Sequence, residues 1–490
     1  MKLNDLIKGV EIVSVGGEQN KQITSVTFDS RSVEKDSLFV AIEGEKFDGH
    51  EFISDAIAKG ANVIVVQKPD SIPETGNNNI TYIVTDNSRK ALAHIAANFY
   101  DNPSHKINLT GVTGTNGKTS IATLLYELFT EMGYKCGVLS TIANYVAGVK
   151  SEATHTTPDP IAINSLLNRM VEQGCEYCFM EVSSHSIDQD RIEALKFRGG
   201  IFTNLTHDHL DYHLTFRNYL DCKKRFFDEL PQSAFALTNI DDRNGKVMFQ
   251  NTHAEIHTYS AKSMADFKVR IIERSIEGTL LNVNGQEVWT HFIGDHNALN
   301  ITAVYGAATL LGAQQDDILK GISKLKSVPG RLDYVVGPQN RIAAVDYAHT
   351  PDALENVLTT LRTIDRDGEL YVVFGCGGDR DRTKRPEMGA IAAKYATRVV
   401  VTSDNPRSEE PDAIIADIKQ GMDIKARAKS LFITDRKEAI RTALMMSGPG
   451  AIILVAGKGH EDYQVIKGIK YHFDDKEVIK EYFNEKIETI

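Results

Sequence analysis

The chain has 490 residues, 42% of them hydrophobic and 25% charged, with a net charge of −11 and five cysteines. That length predicts about two to four domains, and the composition is that of an ordinary globular protein. The acidic balance argues against a nucleic-acid partner and the scarce cysteines against a disulfide framework. With no leader-like start and no apolar run of about eighteen residues, a cytoplasmic chain outside the membrane is expected.

The first region alternates short strands and helices. Strands are predicted over Ile23–Phe28, Ser37–Ile42, Val63–Val66 and Tyr82–Val84, with helices over Phe52–Lys59 and Ser88–Tyr100. Asp101-Asn-Pro-Ser104 breaks the last helix and sets a domain boundary near residue 105. Two polar loops, Asp29-Ser-Arg31 and Gly44-Glu-Lys-Phe-Asp-Gly49, are either plain turns or ligand contacts.

The apolar run Ile107–Leu109 then leads into Gly111-Val-Thr-Gly-Thr-Asn-Gly-Lys-Thr-Ser120, and Ile121–Phe129 carries helical spacing. Strand, glycine-rich turn and helix form a phosphate cradle: backbone N–H groups close around phosphate and the helix N-terminus adds a positive dipole. Lys118 can reach terminal phosphates and the Thr119 hydroxyl can hold Mg²⁺. Val112 stands where the common pattern has glycine, leaving Gly114-x-x-Gly117-Lys-Thr with Gly111 as an extra.

The alternation continues with a strand at Lys135–Leu139, a helix at Pro160–Gln173 and a strand at Tyr177–Val182, which predicts a parallel sheet with crossover helices. Glu181-Val-Ser-Ser-His185 and Thr206-His-Asp-His-Leu-Asp-Tyr-His213 fall just past strand ends, where open α/β sheets bind ligands. Glu181 is placed to be an oxygen ligand of Mg²⁺. The histidine run would also suit zinc, but phosphate chemistry and scarce thiols favour Mg²⁺ with one imidazole. Each of His207, His209 and His213 reads equally well as a capping or packing residue. Cys175-Glu-Tyr-Cys178 lacks a second pair, so buried free thiols are expected. Gly294-Asp-His-Asn-Ala-Leu-Asn300 opens a helix over Ile301–Leu311, and Val328-Pro-Gly-Arg331 ends the domain near residue 333.

The last region is doubly wound. Strands are predicted over Leu370–Phe374, Arg398–Thr402, Ser430–Ile433 and Ile452–Val455, with helices over Arg385–Tyr395, Pro411–Gln420 and Arg436–Met446. Charged loops follow three strands: Asp379-Arg-Asp-Arg382, Asp404-Asn-Pro-Arg407 and Gly457-Lys-Gly-His-Glu461. They suit a ligand bearing both carboxylate and ammonium groups.

Together, Gly114-Thr-Asn-Gly-Lys-Thr119, Glu181-Val-Ser-Ser-His185, Asn204-Leu-Thr-x-Asp-His-Leu-Asp211, His296-Asn-x-x-Asn300, Gly330-Arg331 and Asp346-Tyr-Ala-His-Thr-Pro351 resemble the Mur ligase family. These are ATP-dependent amide-forming enzymes of peptidoglycan precursor synthesis. The resemblance implies an α/β chain of three domains. Residues 1–105 would form a small α/β UDP-binding domain, 106–333 a central P-loop ATPase-like parallel-sheet domain, and 334–490 a C-terminal Rossmann-like amino-acid domain.

By the same resemblance Phe28, Ser30, Glu45, Lys46 and Phe47 would hold the uridine end of UDP-MurNAc-L-Ala-D-Glu. His155, Thr156, Thr157, Ser183, Gln189 and Arg191 would lie along the rest of that substrate. The family usually has Asn where His155 stands, which leaves that contact open. Gly114, Thr115, Asn116, Gly117, Lys118, Thr119 and Ser120 would bind the ATP phosphates, with Asn300, Arg331 and Asp346 on the rest of the nucleotide. Thr119, Glu181 and His209 would serve Mg²⁺, together with Lys223 as its carbamate, Lys224 being the neighbouring alternative.

The Asp404-Asn405-Pro406-Arg407 motif resembles the form that takes meso-diaminopimelate, whose second carboxylate a guanidinium can bind bidentately. Arg407 would read it, with Arg380 nearby and Gly457 and Glu461 on the distal amino-acid group. A monomer is expected. Rival readings are a sibling ligase adding lysine and a nucleotide-gated binding protein without chemistry.

Overall fold

The computed structural model describes residues 1–44, 47–73, 79–153, 155–275 and 277–487. Three main sheets follow one another along the chain. The first has five strands in the order Ile12–Gly16, Thr81–Thr85, Ala61–Val66, Ser37–Val40, Ser25–Thr27, parallel except for its first pair.

The second sheet has eleven strands. Its parallel centre is Phe235–Asn239, Gly199–Phe202, Asn108–Thr113, Tyr177–Glu181 and Cys136–Leu139, in that order. Alternate residues enter two separate cores. Val112, Val138, Phe179, Ile201 and Leu237 face one, while Leu109, Leu139, Cys178, Met180 and Phe202 face the other. Burial on both faces explains why these strands read as continuous apolar runs. Gly111 belongs to this packing, not to the phosphate cradle. It lies inside the strand Asn108–Thr113, and a Cβ there would sit 2.7 Å from Phe226 and 2.9 Å from Phe197.

The third sheet runs Asp333–Val336, Ile342–Asp346, Ile452–Ala456, Leu370–Phe374, Arg398–Val401, Ser430–Phe432, parallel after its first pair. Helices cover both faces, Pro351–Ile364 and Lys384–Tyr395 on one, Arg436–Met446 and Asp475–Ile487 on the other. This is the doubly wound arrangement expected. A buried bidentate pair, Arg436 to Asp475 at 2.7 Å, ties two helices of the second face together.

Several elements exceed the expectation. The central sheet is extended by Phe267–Arg274, Thr279–Val283 and Gln286–Thr290 at one edge, and by the hairpin Asn144–Val146 with Val149–Ser151 at the other. A further hairpin, Tyr463–Ile466 with Ile469–His472, stands beside the third sheet. Phe267–Arg274 and Ile469–His472 are largely exposed, so apolar runs do not announce them. The strand expected at Ile23–Phe28 is shorter, Ser25–Thr27, because Asp29 caps a 3-10 turn at Ser30–Ser32.

Candidate functional site

The strand Asn108–Thr113 ends in the loop 114–117, and the helix Lys118–Glu131 follows directly. Gly114 (φ 146°) and Gly117 (φ 89°) adopt backbone that other residues rarely take. At Gly114 a Cβ would lie 1.8 Å from Thr203 Oγ1, and at Gly117 one would lie 2.8 Å from Asn300 Oδ1. The loop is therefore held against the next strand end. Asn204 Oδ1 accepts from Asn116 N–H at 2.9 Å, its backbone carbonyl accepts from Thr115 N–H at 2.8 Å, and the Thr203 hydroxyl donates to Asn116 O at 2.6 Å. Lys118 Nζ spans the loop, donating to the carbonyls of Gly114 (2.9 Å) and Thr115 (2.8 Å). Burial pushes its pKa down, so the ammonium depends on anionic company.

Glu181 ends the neighbouring strand and is 1% exposed. The Thr119 hydroxyl donates to its Oε2 at 2.9 Å and Thr141 N–H to its Oε1 at 2.7 Å. No Lys, Arg or His lies within ion-pairing distance of it among the described residues. A buried carboxylate beside a hydroxyl and lacking a paired cation is a hard-oxygen donor set that fits Mg²⁺.

The helix Phe216–Asp228 separates the two lysines. Lys223 points inward: it is 1% exposed, its Nζ donates to Gly114 O at 2.9 Å, and it lies 4.9 Å from the centre of the Tyr219 ring. Lys224 is paired with Asp228 at 2.6 Å. Burial, and then the charge of Lys118, drive the Lys223 amine well below its ordinary pKa.

His209 packs edge-on to His185 and stands 3.4 Å from Asp208. Burial lowers its pKa and keeps the imidazole neutral, the form that ligates a metal. Thr119 and Glu181 touch directly. Among the described residues, however, no three His, Cys, Asp or Glu side chains form a ready metal cage.

The residues assigned to the dipeptide converge beside Glu181. Thr157 donates to Glu181 O at 2.7 Å and accepts from Ser183 N–H at 3.1 Å. Arg191 donates to Thr157 O at 2.8 Å and to Gln189 Oε1 at 2.6 Å, and Thr156 accepts from Thr141 at 3.1 Å. His155 is exposed at the edge of this cluster. In the first domain Phe28 and Phe47 are exposed and Ser30 sits in the capped turn. Glu45 and Lys46 lie outside the described residues.

A cavity of about 110 Å³ opens beside the phosphate loop and is lined by Asn116, Ser120, Asn300, Arg331 and Asp346, among others. It also has His296 in its wall, where burial pushes the imidazole down to about 4. Arg331, at the end of the central domain, donates to the Thr119 hydroxyl at 3.2 Å, and Asn116 donates to Asp352 of the C-terminal domain at 3.2 Å. Asp346 accepts from the N–H groups of Leu332 (2.7 Å) and Ala348 (2.8 Å), so it also fixes the linker.

At the third sheet the three charged loops meet. Asn405 donates to Glu461 at 2.8 Å, and fully buried Lys458 pairs with the same carboxylate at 3.1 Å. Asp404 Oδ2 is buried without a hydrogen-bond partner and faces Gly457, where a Cβ would lie 2.5 Å away. Arg407 donates to Gly378 O at 2.6 Å, across the turn from exposed Arg380. The Pro406 carbonyl accepts from Glu409 N–H at 3.0 Å.

Sequence reasoning missed three contributors. Lys458 was legible only as part of a loop. Burial works against an ionised Asp208, yet the positive charges around it, Lys384 of the other domain and Lys118 among them, hold its carboxyl well below the usual range. The Arg385–Glu409 pair links residues that no local pattern joins.

Comparison with known proteins follows the same three-part division. The family described as "Mur ligase family, catalytic domain" matches residues 22–100, "Mur ligase middle domain" matches 112–308, and "Mur ligase, glutamate ligase domain" matches 330–459. The chain is 54% identical over 485 residues to a UDP-N-acetylmuramoyl-L-alanyl-D-glutamate–2,6-diaminopimelate ligase of Bacteroides thetaiotaomicron, covering 99% of this chain and all of that one. It is 42% identical over 488 residues to the Clostridioides difficile protein of the same description, covering 98% and 99%. A solved structure of a ligase so described matches with a TM-score of 0.70 at 31% identity over 99% of both chains. The fold is shared with a MurF ligase of Thermotoga maritima solved with ADP, at a TM-score of 0.64 and 18% identity over 95% and 98%.

Proposed function

The chain belongs to the Mur ligase family, and from that premise we propose how its residues carry out ligation. It is an ATP-dependent peptide ligase that joins meso-diaminopimelate to UDP-N-acetylmuramoyl-L-alanyl-D-glutamate in peptidoglycan precursor synthesis. The observation that supports the reading is that three polar clusters stand at strand ends: the phosphate loop, the Thr157–Arg191 cluster beside Glu181, and the Asp404–Arg407 pocket. We take 1–105, 106–333 and 334–490 as the working domains, and the protein as a cytoplasmic monomer.

The D-Glu γ-carboxylate, lying along Thr157, Ser183 and Arg191, attacks the γ-phosphorus of ATP. ADP leaves and an acyl phosphate forms. Lys118 and the loop N–H groups neutralise charge on the transferring group. The diaminopimelate amine, presented by the third domain, then attacks the acyl carbon and expels phosphate. The Asn116–Asp352 contact joins the central and third domains, and closure of the domains there excludes water from the acyl phosphate. Thr119, Glu181, His209 and the carbamate of Lys223 would hold Mg²⁺, which when bound supplies charge neutralisation at the phosphates. A neutral, buried Lys223 amine suits carbamate formation, because only the free base combines with CO₂.

Arg407 reads the second carboxylate of the amino acid, and Asp404 and Glu461 take its distal ammonium. Offering lysine leaves the Arg407 guanidinium unmatched, at about 2–5 kcal/mol. The test is phosphate release with ATP and the muramoyl dipeptide across diaminopimelate isomers, lysine and ornithine. Diaminopimelate is expected to lead by at least about 30-fold; equal rates with lysine would overturn the assignment of Arg407.

A further inference from the structure

Arg407 is a non-glycine residue at φ 52°, and Asp379 across the pocket wall is another at φ 53°. Side chains rarely adopt this left-handed backbone, and it persists only where the surroundings over-determine it. At Arg407 the hairpin does part of the holding. Arg407 N–H donates to Val465 O at 3.0 Å and Lys467 N–H donates to Arg407 O at 2.7 Å. Among the described residues the guanidinium itself rests on one acceptor, the Gly378 carbonyl at 2.6 Å. Whatever fixes Gly378 therefore fixes the direction in which the reader points.

Gly378 N–H donates to Asn405 O at 2.9 Å, and the other side of the turn is fixed by Glu409. Its Oε1 accepts from Asp379 N–H, in the same peptide group as the Gly378 carbonyl, at 2.7 Å. A closed ring results: Arg407 guanidinium, Gly378 carbonyl, Asp379 N–H, Glu409 carboxylate, and back along two peptides to Arg407. Ser408 closes it a second time by donating its hydroxyl to Asp379 Oδ1 at 2.5 Å. The ring is anchored from behind by Arg385, whose side chain is wholly buried and donates to both Glu409 oxygens at 2.7 and 3.0 Å. We propose that Glu409 is a positioning residue for amino-acid selection: held by Arg385, it fixes the Gly378–Asp379 turn and so aims Arg407 at the second carboxylate of the incoming amino acid. The Arg385 guanidinium holds the Glu409 carboxyl down at about 2 against its burial, with Arg382 and the Asp379 N–H adding to that. The ring is therefore charged throughout the working pH range.

The inference rests on Arg407 being the carboxylate reader, and the experiment separates the two. Wild type, Glu409→Gln, Ser408→Ala and Arg407→Ala are compared by phosphate release, measuring KM for diaminopimelate, ATP and the dipeptide and the ratio of kcat/KM for diaminopimelate over lysine. Glu409→Gln is expected to raise KM for diaminopimelate and to cut the ratio about 10-fold, with KM for ATP and dipeptide at wild-type values. Ser408→Ala, which leaves the buried charges in place, is expected to move the ratio the same way by about 3-fold. If Arg407→Ala collapses the ratio while both other variants keep it, the positioning role is overturned. A uniform loss with every amine and every KM would mark Glu409 as a general brace and would equally overturn it. An unchanged ratio in Arg407→Ala would overturn the reader assignment, and the inference with it.

Discussion

In the central domain the proposed phosphate-facing groups are held by backbone and by partners one strand away, whereas in the third domain the proposed reader Arg407 is held by a carbonyl that the Arg385–Glu409 ion pair braces from behind. Lys118 donates to the Gly114 and Thr115 carbonyls, and Asn116 bonds to Asn204, just past the end of the adjoining strand. Arg407 depends on Gly378, Glu409 and Arg385, which come from three different segments. The difference follows from the tasks. A phosphate cradle recognises a group common to all nucleotides, and backbone N–H groups suffice for that. Telling diaminopimelate from lysine requires a guanidinium at a defined angle, and only a braced side chain can hold one.

The comparison can be broken first at its strongest point. Arg407→Ala should lower kcat/KM for diaminopimelate by between about 30-fold and several-thousand-fold while leaving ATP binding intact, as measured by phosphate release and nucleotide titration. A comparable fall with lysine as the amine would erase the division of labour. Lys118→Ala should reduce kcat by about 10²- to 10³-fold for every amino acid alike, since it acts on the phosphoryl step before the amine arrives. Selective loss with one amine would contradict this.

Two neighbouring glycines sharpen the picture within the central domain. Gly111→Ala presses a methyl group into Phe226 and Phe197 and should cost about 1–3 kcal/mol in urea unfolding with ATP affinity unchanged. Gly114→Ala collides with Thr203 and should abolish ATP binding in the same titration. The smallest effect expected is one of pH. The Glu409 carboxyl is depressed to about 2 from an ordinary value of about 4.3, so its contribution is present above that ordinary value and fades as pH falls toward about 2. The stability gap between wild type and Glu409→Gln should stay constant above about pH 5 and narrow below it.

The same contrast explains what could be read without coordinates. Strand, glycine turn and helix announce the phosphate loop because every residue that shapes it lies within ten positions. Glu181, His209 and Asp404 were legible as charge just past apolar strands. Glu409 and Lys458 were not, since each looks like loop charge until its partner, twenty-four positions back or among three converging loops, is in place. The extra Gly111 could not be read as a packing glycine, because its partner Phe226 lies far along the chain. The exposed edge hairpins escaped for a simpler reason: half their residues face water.

Gly330 and Gly459 stand back to back where the linker passes the third domain. A Cβ on Gly330 would lie 2.2 Å from His460 N, and one on Gly459 would lie 2.9 Å from Gly330 O. Two backbones this close cannot slide past one another, so from Gly330 onward the linker is part of the load and not of the axle. Val328 is buried in the central core, so any swing of the amino-acid pocket must be taken up between it and Gly330, about Pro329. The ring of Pro329 stiffens that bearing, so it turns about few bonds.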